Sequence, residues 1–160
     1  MSFTNPPAEI RQLVTTDLHL MRQLLDVFGD AFQDKKSYCN HQPTDEYLQN
    51  LLNCDYFITL VALKSEQVVG GLVAYEFQKF EQARSEVYIY DLAVLEEYQR
   101  QGIATACIEK VREIAAVRGA YVVIIHAEKD NDPAINLYSK LGIREDVLHF
   151  DIPIPKQSPD

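Results

Sequence analysis

One carboxylate in this sequence stands where a carboxylate is costly. In the run Glu86-Val-Tyr-Ile-Tyr-Asp91-Leu-Ala-Val94, the alternation of a β-strand sets Asp91 on the same face as Val87 and Ile89. An ionised group on an apolar face is expensive unless something compensates it. Either a β-bulge near Asp91 or Leu92 switches the faces, or the carboxylate meets a ligand or cation in a cleft. A bulge would also free strand N–H groups near Leu92 and Val94 to stabilise an oxyanion, which suits acyl transfer to an amine. An amine with pKa ~8 to 10 holds its proton more tightly than an Asp near ~4. Asp91 is therefore expected to orient the amine and to take its proton through water, or to have its own pKa raised by neighbouring carboxylates. If the acyl donor is a thioester, its thiolate (pKa about 8.5) can be protonated by a tyrosine near ~10 at modest cost. Tyr138 is the candidate for that general acid.

A second chemical feature follows directly. The turn from Gln99 to Thr105 leads into a helix that opens on Gly102. Glycine lets backbone approach a ligand without a Cβ in the way, and the first helical N–H groups have no partners inside the helix. With the positive end of the helix dipole added, this turn should hold a phosphate or pyrophosphate. It is not a P-loop, lacking Gly-Lys-Ser/Thr, nor a dinucleotide fingerprint, lacking Gly-x-Gly-x-x-Gly.

The elements that must position these residues are legible in the pattern. Ile10 to Val14 reads as an edge strand, and Thr16 as the N-cap of a helix carrying Leu18, Met21, Leu24, Leu25 and Phe28 up to a stop at Gly29. Asp30 to Pro43 reads as irregular, and Thr44 caps a second helix. Tyr56 to Leu63 and Val68 to Phe77 form a hairpin, with Gly70-Gly71 marking a bulge or a close backbone approach. The strand bearing Asp91 follows, then a helix ending at Gly119, and then Tyr121 to His126, apolar enough to be covered on both faces. Asp132-Pro133 opens a last helix that stops at Gly142, and Val147 to Ile152 reads as a final strand. Helices follow strands only in the second half, which predicts an α/β (α+β) mixed sheet, mostly antiparallel, with helices on both faces. A single domain over residues 1–160 is expected, with loose tails at 1–8 and 153–160.

Composition narrows the function classes. A formal net charge of -9 disfavours nucleic acid and anionic membrane as partners and favours a cationic one. The sequence has neither a long apolar run nor a secretion signal, so a cytoplasmic location is expected. Cys39, Cys54 and Cys107 are scattered, without the spacing of a zinc site or disulfide framework, and no metal is expected.

Gln99-x-x-Gly102-x-Ala104 after Leu92-Ala93-Val94 resembles the acetyl-CoA signature of the GNAT acetyltransferases, and Asn131-x-x-Ala134-x-x-Leu137-Tyr138 resembles the family's second signature. The resemblance implies acetyl-CoA as cofactor. Its arm would lie along Leu92, Ala93 and Val94; its pyrophosphate would sit at Gln99, Arg100, Gln101, Gly102, Ile103, Ala104 and Thr105. Asn131 and Ala134 would contact it further on, and Tyr138 would be the general acid. Gln99 departs from the commoner arginine, which removes a charge but no backbone N–H.

Within the family, His41-Gln42-Pro43, Lys79-Phe80-Glu81-Gln82, Tyr88-Ile89-Tyr90-Asp91-Leu92-Ala93-Val94 and His149-Phe150-Asp151-Ile152 resemble the aminoglycoside 3-N-acetyltransferases of the gentamicin-modifying type. That resemblance implies a homodimer acting on a cationic aminoglycoside, with Asp91 as the acidic substrate-site residue. A cleft drawn from Glu81, Glu86, Asp91 and Asp151, with His41 beside it, would attract such a substrate. Two other readings stand beside this one: acetylation of another polyamine, and an acyl-CoA-binding sensor without catalysis.

Overall fold

The computed structural model describes residues 7–156. The chain divides into two compact units, the first ending at His126 and the second beginning at Ala127.

The first unit is built on one sheet in the order β1 (Glu9–Gln12), β2 (Phe57–Lys64), β3 (Gln67–Gln78), β4 (Ser85–Val94), β5 (Ala120–Ile125). Strands β1 to β4 pair antiparallel, and β5 runs parallel to β4. Helices α1 (Leu18–Ala31), α2 (Lys35–Tyr38) and α3 (Asp45–Leu52) precede β2, and α4 (Ile103–Arg118) carries the chain from β4 to β5. The fold is the expected mixed, mostly antiparallel sheet with helices on both sides.

Alternation along the central strands makes two apolar layers. Phe57, Val61, Val73 and Ala93 join Leu20, Met21, Leu24 and Phe28 of α1 in one core. Their ladder neighbours Ile58, Leu60, Leu72 and Ile89 are buried too, and by alternation they face the other way, where α4 buries Cys107, Ile108 and Val111. A sheet covered on both faces needs apolar residues at nearly every position, and β2 from Phe57 to Leu63 is buried throughout.

Three local readings are revised. Gly29 does not stop α1, which continues to Ala31; a Cβ there would lie 2.3 Å from Cys39 Sγ, so this glycine serves the close approach of the α2 segment. The stretch read as irregular holds the short α2, capped by Asp34, whose side chain accepts from Ser37 N–H. Asp17, not Thr16, stands at the N-cap of α1, and its carboxylate accepts from Val14 N–H behind the helix.

Other expectations hold. Thr44 caps α3 by accepting from Tyr47 N–H at 3.2 Å. Val69 is skipped in the β2–β3 ladder, a bulge beside Gly70, and a Cβ on Gly71 would lie 2.3 Å from Leu60 O. Both meanings of the glycine pair are realised. Strand β5 is less covered than its composition suggested, since Tyr121 and Val122 are exposed.

The second unit contains α5 (Asp132–Leu141), with Pro133 in its first turn and Gly142 at its end. Val147 to Ile152, read as a strand, forms neither strand nor helix, and its apolar side chains are exposed. A strand needs a neighbour to take its backbone hydrogen bonds, and none pairs with it among the described residues. Of the tails expected at 1–8 and 153–160, residues 1–6 and 157–160 lie outside the described residues.

Candidate active site

The β3–β4 ladder pairs Val73 with Asp91 and Ala74 with Ile89, so Tyr90 is the extra residue of a β-bulge. The two alternatives for Asp91 are thereby decided. Directly opposed residues share a face, so Asp91 lies with Val73 and Tyr75, on the α1 side, while Ile89 remains on the α4 side.

The bulge coincides with a second change. Strand β4 pairs with β5 from Ser85 to Ile89, and beyond Ile89 its outer edge has no strand partner among the described residues. Leu95 N–H donates to Val69 O at 2.9 Å, so by alternation Ala93 turns its amide to β3 while Leu92 and Val94 turn theirs to the open edge. The Val94 carbonyl on that edge accepts from Gln99 Nε2 at 3.0 Å. Two strand N–H groups therefore stand ready for an acyl group or its amide-rich arm, and the Gln99 side chain closes the end of the row.

Asp91 is half-buried, and its Oδ2 accepts from the Tyr38 hydroxyl at 2.9 Å. Burial raises the carboxyl above its ordinary value, partly offset by the Tyr38 hydrogen bond, which favours the ionised form. The direction is the one anticipated, but the cause is desolvation, not a neighbouring carboxylate. The Tyr38 phenol is itself raised, by burial and then by its bond to Asp91, so it stays a donor across the physiological range. Phe28 and Phe32 pack on its ring, with centroids 5.8 and 5.6 Å away.

At the start of α4, Gly102 takes φ +79° and has nothing within 4 Å of where a Cβ would be. The space in front of the helix is open. Ala106 N–H is the first to bond back within the helix, to Gly102 O at 3.0 Å. Ile103, Ala104 and Thr105 thus have N–H groups without an intrahelical partner, the donor set an anion needs. A cavity of ≈ 440 Å³ is lined by Gly102, Ile103, Ala106, Gln101 and Lys64 among others. Lys64 donates to Gln101 Oε1 at 2.9 Å. It brings to the turn a positive charge in addition to that of Arg100, which adopts φ +62° there.

The remaining predicted residues are distributed more widely. Glu81 and Glu86 share Lys79, whose Nζ lies 3.2 and 3.8 Å from them, and Glu86 also accepts from the Tyr121 hydroxyl at 3.2 Å. His41 is exposed in the loop before α3. That loop is tied to α1 through Arg22, which donates to Gln42 Oε1 and Pro43 O, and through Gln42, which donates to Asp26.

In the second unit, Asn131 Oδ1 caps α5 by accepting from Ala134 N–H at 3.3 Å, leaving its amide Nδ2 for another partner. Tyr138 is half-buried on α5, and burial raises its phenol. Asp151 is exposed and bonds His149 at 2.9 Å.

Tyr38 and Lys64 were missed because each acts across a long sequence gap. Nothing local marks a tyrosine in a polar stretch or a lysine at a strand end as facing a site. No group of metal-ligating side chains is present among the described residues. No helix among them is long and apolar enough to cross a membrane.

The model of the Acetyltransferase (GNAT) family matches residues 20–143. The chain belongs to the GNAT acetyltransferases. Enzymes of this family use acetyl-CoA as donor. The open edge of β4 and the unpartnered N–H groups after Gly102 fit such a cofactor. Among solved structures, the chain is similar to an aminoglycoside acetyltransferase, HMB0005, from an uncultured soil metagenomic sample, with TM-score 0.92 and 52% identity over 94% of this chain and 100% of that one. It is also similar to meta-AAC0020, an aminoglycoside acetyltransferase of similar origin in complex with sisomicin, with TM-score 0.86 and 32% identity over 92% and 97%. N-alpha-acetyltransferase 30 of Schizosaccharomyces pombe is 31% identical over 52% of this chain and 55% of its own. The chain spans about half the length, or less, of the first curated relatives it matches.

Proposed function

We propose that this GNAT protein transfers an acetyl group from acetyl-CoA to an amine of an aminoglycoside, the 3-amino group in particular, and so protects against the antibiotic. The observation that carries the reading is the coincidence at Tyr90: the bulge that turns Asp91 onto the α1 side begins where β5 stops covering β4. Within a few residues the chain offers an acid for the incoming nitrogen, one N–H donor for the acyl oxygen and a second for the arm behind it. The similarity to HMB0005 and meta-AAC0020 supports the aminoglycoside class.

Acetyl-CoA supplies the activated acyl group. Leu92 N–H would stabilise negative charge developing on the carbonyl oxygen, and Val94 N–H, about 7 Å further along the same edge, would hold an amide of the cofactor's arm. Asp91, its Oδ2 held by Tyr38, presents its other oxygen to the substrate ammonium and receives the proton directly or through water. Its raised pKa narrows the gap to the amine and makes the transfer less uphill. Tyr138, by the motif it stands in, protonates the departing sulfur. Assembly as a homodimer is part of the same proposal, checked by light scattering.

The test is thiol release with acetyl-CoA and gentamicin, with the acetylated nitrogen located by NMR of the product. Turnover with acetylation at the 3-amino group is expected. Release no faster than buffer hydrolysis overturns the aminoglycoside reading. A kcat/KM for spermidine above that for gentamicin would assign the chemistry to linear polyamines instead. Tyr138→Phe should slow turnover about tenfold, less than loss of Asp91 would, because water can protonate a thiolate.

A further inference from the structure

Beside Asp91 runs a row of aromatic rings that the chemistry above does not use. Tyr56 stands just before β2, Tyr75 on β3, Tyr88 and Tyr90 on β4, and His126 just after β5. Tyr56 stacks near Tyr75 with centroids 6.5 Å apart, Tyr75 meets Tyr90 edge-to-face at 6.1 Å, and Tyr90 meets Tyr88 edge-to-face at 6.0 Å. Tyr88 lies 5.0 Å from the His126 ring, with its hydroxyl 3.2 Å from Nδ1. Tyr88 pairs with Tyr75 in the ladder, so both share the face to which the bulge turns Asp91.

We propose that this row is a binding platform for the linked sugar rings of a polyamino-sugar, continuous with the amine site at Asp91. The inference rests on the function proposed above and specifies which part of the protein reads the sugar.

Tyr75 anchors the row on the core, its ring 5.4 Å from that of Phe57, but the core does not account for the outer rings. Tyr90 and Tyr56 are 64% and 51% exposed, whereas the apolar core on this face is filled by α1 against Val61, Val73 and Ala93. Edge-to-face packing fixes the rings against one another, so they meet a ligand already ordered. Aromatic faces attract both the C–H surface of a sugar ring and ammonium groups, and neutral phenols add hydroxyls that donate and accept. Burial raises the phenols of Tyr75 and Tyr88, which keeps them neutral.

The row crosses from β2 to β5, three interstrand steps of ~4.8 Å, or about 14 Å. That span suits two or three linked rings and exceeds a single amino sugar. A linear polyamine has no ring face to lay on it and would engage the row only through its ammonium groups, depending mainly on Asp91 and the protein's negative charge. The bulge has two products on this reading: Asp91 reaches the amine, and Tyr90, beside it, floors the first ring.

The experiment compares kcat/KM for gentamicin, glucosamine and spermidine in the wild type, Tyr90→Ala, Tyr90→Phe and Tyr56→Ala, with calorimetric titration of gentamicin in each. Tyr90→Ala should raise KM for gentamicin about tenfold and for spermidine by a clearly smaller factor, about twofold; Tyr90→Phe, which keeps the ring face, should recover most of the gentamicin loss. Tyr56→Ala, remote from the bulge, should raise the gentamicin KM by a smaller factor, about threefold, without changing kcat. Should both alanine variants leave gentamicin unaffected, or weaken all three amines equally, the platform is wrong. Binding of gentamicin without turnover, weakened in Tyr56→Ala, would keep the platform and sink the proposed reaction; no binding at all would sink both.

Discussion

The two halves of β4 share a strand but not an environment. From Ser85 to Ile89 the strand is paired on both edges, alternates cleanly, and buries Ser85, Val87 and Ile89. From Tyr90 to Val94 it is paired with β3 alone; an ionisable group stands on its face, and its outer amides have no strand partner among the described residues. The first half has a strand to pair with on each edge and therefore stabilises. The second leaves groups unsatisfied, which costs stability and gives the strand something to bind with. One inserted residue, Tyr90, separates the two behaviours.

Asp91→Asn should spare the fold and remove only the proposed base. Turnover should drop roughly 100- to 10,000-fold while CoA affinity, read by calorimetry, stays nearly unchanged. Equal loss of both would make Asp91 structural. Stability should respond in the opposite sense to activity. Because the folded-state pKa of Asp91 is raised, its ionised form opposes folding at neutral pH and the opposition fades as pH falls through that pKa. The Asn variant should accordingly melt above wild type at pH 7, with the difference shrinking toward acidic pH.

The paired half should show the reverse profile. Val87→Ala, at a fully buried position, is expected to cost about 2 kcal/mol in unfolding free energy with kcat within about twofold of wild type. A catalytic defect without a stability defect would blur the line drawn at Tyr90.

Tyr38→Phe carries the smallest expected effect and the sharpest information. The hydroxyl favours the carboxylate, so its removal should move the acid limb of the kcat/KM profile upward by less than about one pH unit. Rate should be lost mainly below neutrality and recovered at higher pH. A uniform drop at all pH values would mean that Tyr38 only props α2 against α1.

Much of the site was legible before the fold was. The misplaced Asp91 announced a bulge because a strand's period leaves no other way to carry a carboxylate past Val87 and Ile89 without a compensating partner. Gly102 announced the open start of α4 because few residues other than glycine open a helix at φ +79°. Such signals are local, written in spacing and in the stereochemistry of single residues. Gly29 misled for the same reason: a glycine after a helical stripe is usually a stop, and only the nearness of Cys39 Sγ shows it to be a packing site. Val147 to Ile152 misled because alternation specifies the shape of a strand but not the presence of a neighbour to pair with it.

The sequence by itself determined the strand that bears Asp91, the glycine turn that opens α4, and the family signatures on either side. Tertiary structure alone decided what they meet: Tyr38 from 53 positions away on Asp91, Lys64 from 37 positions away on Gln101, the aromatic row across β2 to β5, and the edge where β5 stops. The division follows from range. Backbone stereochemistry and alternation act between residues a few positions apart, whereas the partner of a side chain is set by which strands end up adjacent, and no local pattern encodes that.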